Sequence, residues 1–119
     1  MSESLYERLG GSDGIQNLAN DLVDNHVSNP KVGKRFADSD IPAFKKIAAE
    51  FFIAGTGGPD VYQGMDIISA HKGMNISGEE FMAVLEDAMK AMEKNNLGQR
   101  EKEEVLFVLF SMKDEVMLQ

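Results

Sequence analysis

The chain contains no cysteine and no tryptophan, and it has only two histidines among 119 residues. Without thiols it can form neither disulfide bonds nor thiolate metal sites. His71 is a single imidazole among apolar neighbours. One imidazole cannot build a zinc site, because zinc takes three or four protein ligands. These absences exclude a disulfide scaffold and a structural zinc protein.

A long apolar run and an excess of positive charge are also missing. No stretch approaches the ~18 apolar residues that a membrane-spanning helix requires. The net charge of -8 argues against binding to nucleic acid or to an anionic membrane surface, because both attract a basic face. The polar, acidic start Met1-Ser2-Glu3-Ser4 lacks the features of a secretory signal, so we expect a cytoplasmic protein. We also expect this protein to be a monomer.

Helical periodicity is what the sequence does contain, and no alternating strand pattern interrupts it. The apolar residues form one short stripe and four longer ones, each at helical spacing. The stripes are Leu5 and Leu9; Ile15, Leu18, Leu22 and His26; Phe44, Ile47, Ala48, Phe51 and Phe52; Phe81, Val84, Leu85, Ala88 and Met92; and Val105, Leu106, Leu109, Met112 and Val116. The pattern predicts one all-α domain over residues 1–119, with a further short helix around His71.

Local signals predict where these helices begin and end. Ser12 or Asp13 is predicted to cap the second helix, and Pro30 to end it. Pro42 suits the first turn of the third helix, which should end near Gly55. The run Ser77-Gly78-Glu79-Glu80 has the spacing of a capping box and predicts the start of the fourth helix.

His71 is the most informative single residue. It lies among apolar residues in the segment from Ile67 to Ile76. A lone histidine in such surroundings is more often a core residue than a ligand. It can also supply the one protein bond that holds a heme iron, because the porphyrin provides the four equatorial ligands.

A set of ordered motifs resembles the truncated hemoglobins, the two-over-two helical globins, and among them group I. The resemblance covers nearly the whole chain. The motifs are Leu5-Tyr6-Glu7-Arg8-Leu9-Gly10-Gly11, Phe36, Phe51-Phe52, Gly57-Gly58-Pro59 with Tyr62 and Gly64, and Ala70-His71 through Ile76 followed by Phe81. The fold that this resemblance implies is the two-over-two helical sandwich.

The resemblance also implies heme b (iron protoporphyrin IX) as cofactor, with His71 as the proximal iron ligand. Phe36 corresponds to the phenylalanine that packs on the porphyrin face. Further pocket-lining positions are Phe51, Phe52, Ile76, Phe81 and Val84. On the distal side the corresponding residues are Val23, Phe44 and Ala48, with Ile47 between the last two. Lys45, Lys46 and Lys72 are interpreted as solvated charges, with contact to heme propionates as the alternative.

The distal positions depart from the family pattern, which places a tyrosine and often a glutamine there. Val23, Phe44 and Ala48 have no side-chain hydrogen-bond donor. A hydrogen bond to a charged acceptor contributes about 1.5–3 kcal/mol, so its loss should weaken O₂ binding roughly tenfold or more. His26 lies close to Val23 on the second helix. It is interpreted as a structural histidine, with a hydrogen bond to the gas ligand and a sixth iron ligand as the alternatives.

The leading hypothesis is therefore a heme protein that reversibly binds the diatomic gases O₂, CO or NO. The alternative is a heme enzyme, a nitric-oxide dioxygenase or a peroxidase-like protein, which would need an electron-donating reductase as partner. A helical interaction module without a cofactor is the third possibility, and a gas sensor that acts through a separate partner is the fourth.

Overall fold

The structure, a computed structural model, describes residues 4–36, 40–59, 61–62, 76–111, 113 and 117. These residues form helices joined by turns and short loops, which confirms the predicted all-α class. The elements are α1 (Leu5–Arg8), α2 (Gly11–Ser28), a 3₁₀ helix (Gly33–Phe36), α3 (Ile41–Gly55), α4 (Gly78–Lys94) and α5 (Gln99–Ser111). One isolated parallel bridge joins Ile76 to Met117. The predicted helix around His71 lies outside the described residues, as do Met112 and Val116 of the last stripe.

Two of the three predicted helix starts are confirmed. Pro42 lies in the first turn of α3, where the Asp40 side chain also accepts a hydrogen bond from the Ala43 amide. Ser77 and Glu80 form the reciprocal capping box of α4. Both arrangements satisfy amide groups that the first turn of a helix leaves without a partner.

The predicted cap of α2 is wrong. Its N-cap is Gly10, with a φ of 97°, and the helix begins at Gly11 without a side-chain cap. Gly11 also has a positive φ, of 67°, a conformation that glycine adopts at little cost. The Ser12 hydroxyl lies 2.7 Å from the Tyr6 Oη, so it joins α2 to α1 instead of capping α2.

Helix α2 lies at the centre of the packing. Helices α3 and α4 both pack against it, and α5 packs against α4. The predicted apolar stripe of α2 is confirmed, because Ile15, Leu18, Leu22 and His26 are all buried. The main core consists of Leu9, Ile15, Leu18, Leu22, Phe52, Ile53, Ala88, Ala91, Met92 and Val105.

The apolar stripe of α3 divides into two faces. Ala49, Phe52 and Ile53 are buried in the protein interior. Phe44, Ala48 and Phe51 are only half-buried, and Ile47 is 41% exposed. Successive residues of an α-helix are rotated by about 100°, so these four side chains share a face that is turned away from Ala49 and Ile53. We call Phe44, Ile47, Ala48 and Phe51 the second face of α3.

In the part of the chain that the structure describes, every helix is too short or too polar to span a lipid bilayer.

Candidate functional site

Three aromatic rings from three elements form a stack beside the second face of α3. The His26 and Phe36 ring centroids are 6.1 Å apart and their planes differ by 10°. The Phe36 and Phe44 centroids are 5.3 Å apart, with planes at 20°. These distances are typical of attractive stacked pairs. The stack therefore joins the C-terminal end of α2, the 3₁₀ helix and the first turn of α3.

His26 is held by a buried carboxylate. Its Nδ1 lies 2.7 Å from Asp87 Oδ2 on α4, and both side chains are buried. The Asn29 amide donates to both Asp87 carboxylate oxygens at 3.1 Å, and the Asn25 amide donates to the Asp87 carbonyl at 3.0 Å. We call His26, Asp87, Asn25 and Asn29 the Asp87 network. It supports the structural interpretation of His26.

The protonation state of His26 follows from this environment. Burial lowers the pKa of His26 more than the hydrogen bond and the charge of Asp87 raise it. An ionised carboxylate can only accept a hydrogen bond, so Nδ1 carries the proton that His26 donates to Asp87. In the neutral ring Nε2 then carries no proton. The neutral ring therefore has no N–H left to donate to a gas ligand.

Phe51 connects the second face of α3 to the residues that follow the helix. Its ring packs edge-on against Phe52 at 5.6 Å and against Tyr62 at 5.7 Å. Phe52 itself belongs to the main core. Val23, which the resemblance predicts at the position of the family's distal tyrosine, is completely buried. The structure thus brings together His26, Phe36 and Phe44, and Val23 lies on α2 about one turn before His26.

Helix α4 and the residue before it contribute the remaining predicted positions. Ile76 and Phe81 are buried and Val84 is half-buried. The Phe81 ring packs edge-on against Phe110 of α5, with 6.3 Å between centroids. Phe110 is 55% exposed, and the Lys113 ammonium group lies 5.6 Å from its ring centroid.

The predicted iron ligand, His71, lies outside the described residues, as do Lys72, Gly64 and Ala70. Of the lysines interpreted as solvated charges, Lys46 is exposed. Lys45 forms an ion pair with Asp24, with 2.9 Å between Nζ and Oδ1. This pair supports the interpretation of Lys45 as a surface charge.

An ion pair joins two of the elements that carry predicted pocket residues. Arg35, next to Phe36, binds Glu80, next to Phe81, through both Nε and Nη2, and the Nη2–Oε1 distance is 2.9 Å. The Arg35 hydrogen bond is the main reason that the pKa of Glu80 falls from 4.5 to about 2. The pair ties the 3₁₀ helix to the start of α4.

Sequence reasoning missed Asp87, Asn29 and Phe110. Asp87 carried a signal, since it is a charged residue beside Ala88 in the apolar stripe of α4, and α4 has Ala83, Ala88 and Ala91 buried around it. Asn29 and Phe110 carried none, because their partners lie far away in the sequence. Among the described residues no group of three or more histidine, cysteine, aspartate or glutamate side chains could hold a metal ion.

Comparison with known proteins gives the family. A family model described as bacterial-like globin matches residues 4–118. The chain belongs to the bacterial-like globins. The expected resemblance to truncated hemoglobins is confirmed, and with it the two-over-two arrangement of this globin.

Curated relatives of this globin include two group 1 truncated hemoglobins. The one from Tetrahymena pyriformis is 28% identical over 85 residues, which are 71% of this chain and 70% of the relative. The one from Synechocystis, named GlbN, is 27% identical over 95 residues, covering 76% and 77% of the two chains.

Solved structures show the same fold. The Fe(III) form of the Tetrahymena pyriformis truncated hemoglobin superposes with a TM-score of 0.94 at 22% identity, covering 98% of this globin and all (100%) of that chain. The 2/2 hemoglobin from Synechococcus, solved in the cyanomet state with covalently attached heme, has a TM-score of 0.89 at 21% identity, with 97% and 98% coverage. The group II truncated hemoglobin from Bacillus anthracis has the same TM-score, 0.89, at 20% identity, with 98% and 92% coverage.

Proposed function

We propose that this globin binds heme b through His71 and that it reversibly binds diatomic gases, O₂, CO or NO. The observation that carries the proposal is the second face of α3, which the described residues leave partly uncovered. The proposal treats residues 1–119 as a single domain, monomeric and cytoplasmic. It is supported by the relatives, which are named as hemoglobins, and by the Synechococcus structure, which contains heme.

The residues present fit a large flat apolar cofactor. Phe44, Ile47, Ala48 and Phe51 offer a strip of apolar surface about two turns long, and the stacked Phe36 borders it. Phe81 and Val84 offer apolar side chains from α4. Pockets for such ligands are lined mostly by apolar side chains with few polar groups, and these side chains of α3 and α4 are apolar. Heme, when bound, supplies an iron that one imidazole and one gas molecule can share.

The distal side supports gas binding without strong stabilisation of O₂. Val23, Phe44 and Ala48 donate no hydrogen bond, and the neutral His26 ring directs its only N–H to Asp87. A ligand whose bound form accumulates negative charge gains most from a donor, and O₂ is such a ligand. We therefore expect O₂ to dissociate rapidly. The absence of a donor should affect the binding of CO less.

The test of this proposal is a change on the second face of α3. Ile47→Asp should weaken heme binding by the apoprotein. It should not unfold the protein, because Ile47 is 41% exposed. Loss of the apolar contact removes about 1.5–3 kcal/mol, which corresponds to roughly ten- to a hundredfold in the heme dissociation constant. The measurement is a titration of the apoprotein with heme, followed by the Soret band.

Val27→Asp is the matched control. Val27 is 40% exposed on α2, close to the 41% of Ile47, and is outside the predicted heme set. The control should keep the wild-type heme affinity. Equal affinities in all three proteins would mean that the second face of α3 does not contact heme. Absence of heme uptake by the wild-type protein would favour the helical interaction module.

A further inference from the structure

The Asp87 network and the aromatic stack share one residue, His26. We propose that Asp87 and His26 are positioning residues, which orient Phe36 and Phe44 and thereby fix the distal wall of the gas-binding site. This inference rests on the proposed function and extends it, because neither residue needs to touch the heme or the gas. It replaces the two roles in which His26 would act directly on the ligand or the iron.

The first step is the orientation of the imidazole. A single hydrogen bond at Nδ1 defines which way the ring edge points, and this bond is short, at 2.7 Å. The acceptor cannot move freely, because Asn29 binds both of its carboxylate oxygens and Asn25 binds its backbone. The His26 ring is therefore fixed from α4, although it belongs to α2.

The second step is the transfer of that orientation through the stack. The Phe36 plane follows the His26 plane to within 10°, and the Phe44 plane follows Phe36 to within 20°. Phe36 ends the 3₁₀ helix and Phe44 lies in the first turn of α3. Rotation of His26 would therefore change the position at which the second face of α3 begins.

The Asp87–His26 bond places a buried polar pair where an apolar pair could pack. Burial of a carboxylate and an imidazole is costly, and an apolar pair of similar volume commonly gives equal or greater stability. An apolar pair, however, has no directional bond that would fix a ring plane. Orientation of the stack is a property that the Asp87–His26 bond supplies and that an apolar pair lacks.

The decisive variant is His26→Phe combined with Asp87→Leu, which keeps a ring in the stack and removes the directional bond. It leaves no unpaired buried charge, so we expect it to fold. Asp21→Leu is the matched control, because Asp21 also links α2 to the end of α4, through Asn95 at 2.8 Å and Lys94 at 3.1 Å. It makes the same carboxylate-to-leucine change away from the stack.

Two measurements are made on each protein, with urea unfolding to compare their stabilities. In the apoprotein, nuclear Overhauser effects between the Phe36 and Phe44 rings report the stack without any heme. In the heme-loaded ferrous protein, the infrared stretching band of bound CO reports the distal wall. We expect a single CO band in the wild-type protein. The double variant should lose intensity in the ring-to-ring effects and split this band, and Asp21→Leu should preserve both.

The apoprotein measurement separates this inference from the proposed function. If the wild-type protein takes up no heme, the proposed function fails, and the ring-to-ring effects still decide whether the Asp87 network orients the stack. Unchanged effects and an unchanged CO band in a folded double variant would overturn the inference. If the double variant does not fold, Asp87→Leu alone is measured in the same way, and the same two results decide.

Discussion

At the scale of single residues, the chemistry predicted for the distal side depends on one polar group that is present and on others that are absent. His26 was the one candidate for a distal donor, and the structure instead directs its Nδ1 proton to Asp87. Val23, Phe44 and Ala48 add no donor. The residues predicted for the distal side therefore offer no side-chain donor to a gas ligand, although a histidine is among them.

A hydrogen-bond donor introduced on the second face of α3 should stabilise bound O₂. Ala48→Gln places an amide on the second face of α3, at a half-buried position in a helix that accepts glutamine well. The new hydrogen bond should slow O₂ dissociation roughly tenfold or more, because it contributes about 1.5–3 kcal/mol to a charged acceptor. Stopped-flow displacement of O₂ by CO measures the rate.

Ala48→Leu is the control for this change, since it adds similar bulk without a donor. It should leave O₂ dissociation fast. Equal slowing by leucine and glutamine would show that size, and not hydrogen bonding, limits the escape of O₂.

The lowered pKa of His26 makes the folded protein sensitive to mild acid. In the unfolded chain His26 binds a proton near its ordinary pKa of 6.5, whereas the folded protein resists this proton. The unfolded state therefore gains relative to the folded state as the pH falls through 6.5, and the free energy of unfolding decreases until the pH passes below the folded pKa. Urea unfolding at a series of pH values measures the decrease.

His26→Gln is the control for this pH dependence, because its amide can donate to Asp87 and does not titrate. The variant should lose the decrease just below pH 6.5. A decrease of equal size in the variant would assign the acid sensitivity to another group.

Glu80 contributes to the pH dependence of stability at lower pH, since its folded pKa is about 2 and its ordinary value is 4.5.

At the scale of elements, the helices were predictable where their signals are local. The capping box of α4 and the proline of α3 need only neighbouring residues, and both predictions were confirmed. The start of α2 was missed because the conformations of Gly10 and Gly11 and the Tyr6–Ser12 contact are tertiary features. The two faces of α3 were missed for a related reason, because periodicity does not show which apolar residues meet α2.

The link between the 3₁₀ helix and α4 is testable through Glu80. Glu80→Gln removes the ion pair with Arg35 and retains a residue that can complete the capping box. We expect a loss of about 0.5–1 kcal/mol in the free energy of unfolding, as for partly exposed ion pairs. The difference from wild type should shrink at high salt, and it should also shrink as the pH falls from 4.5 towards 2, because protonated Glu80 cannot pair.

Arg100→Gln is the control, because it removes an ion pair that should contribute little to stability. Arg100 lies 3.9 Å from Glu104 and is 68% exposed, so its removal should not change the free energy of unfolding measurably. Equal losses in the two variants would contradict a specific role for the Arg35–Glu80 pair.

At the scale of the whole molecule, the order of helices and the family were accessible from the sequence. The motifs occur in order along nearly the whole chain, and the matching family model and the superposed structures agree with them. The Asp87 network was not accessible, because it forms between residues about sixty positions apart, which meet only after α2 and α4 pack. The role of His71 remains a prediction from the resemblance.

Heme ligation by His71 is tested most directly by the absorption spectrum of the ferrous protein, before and after addition of CO, for wild type and His71→Gly. We expect a five-coordinate, histidine-bound ferrous spectrum in wild type and its loss in the variant. Free imidazole should restore the spectrum, because it can occupy the space that the side chain leaves. A wild-type protein without a Soret band, or a variant with the wild-type spectrum in the absence of imidazole, would contradict heme ligation by His71.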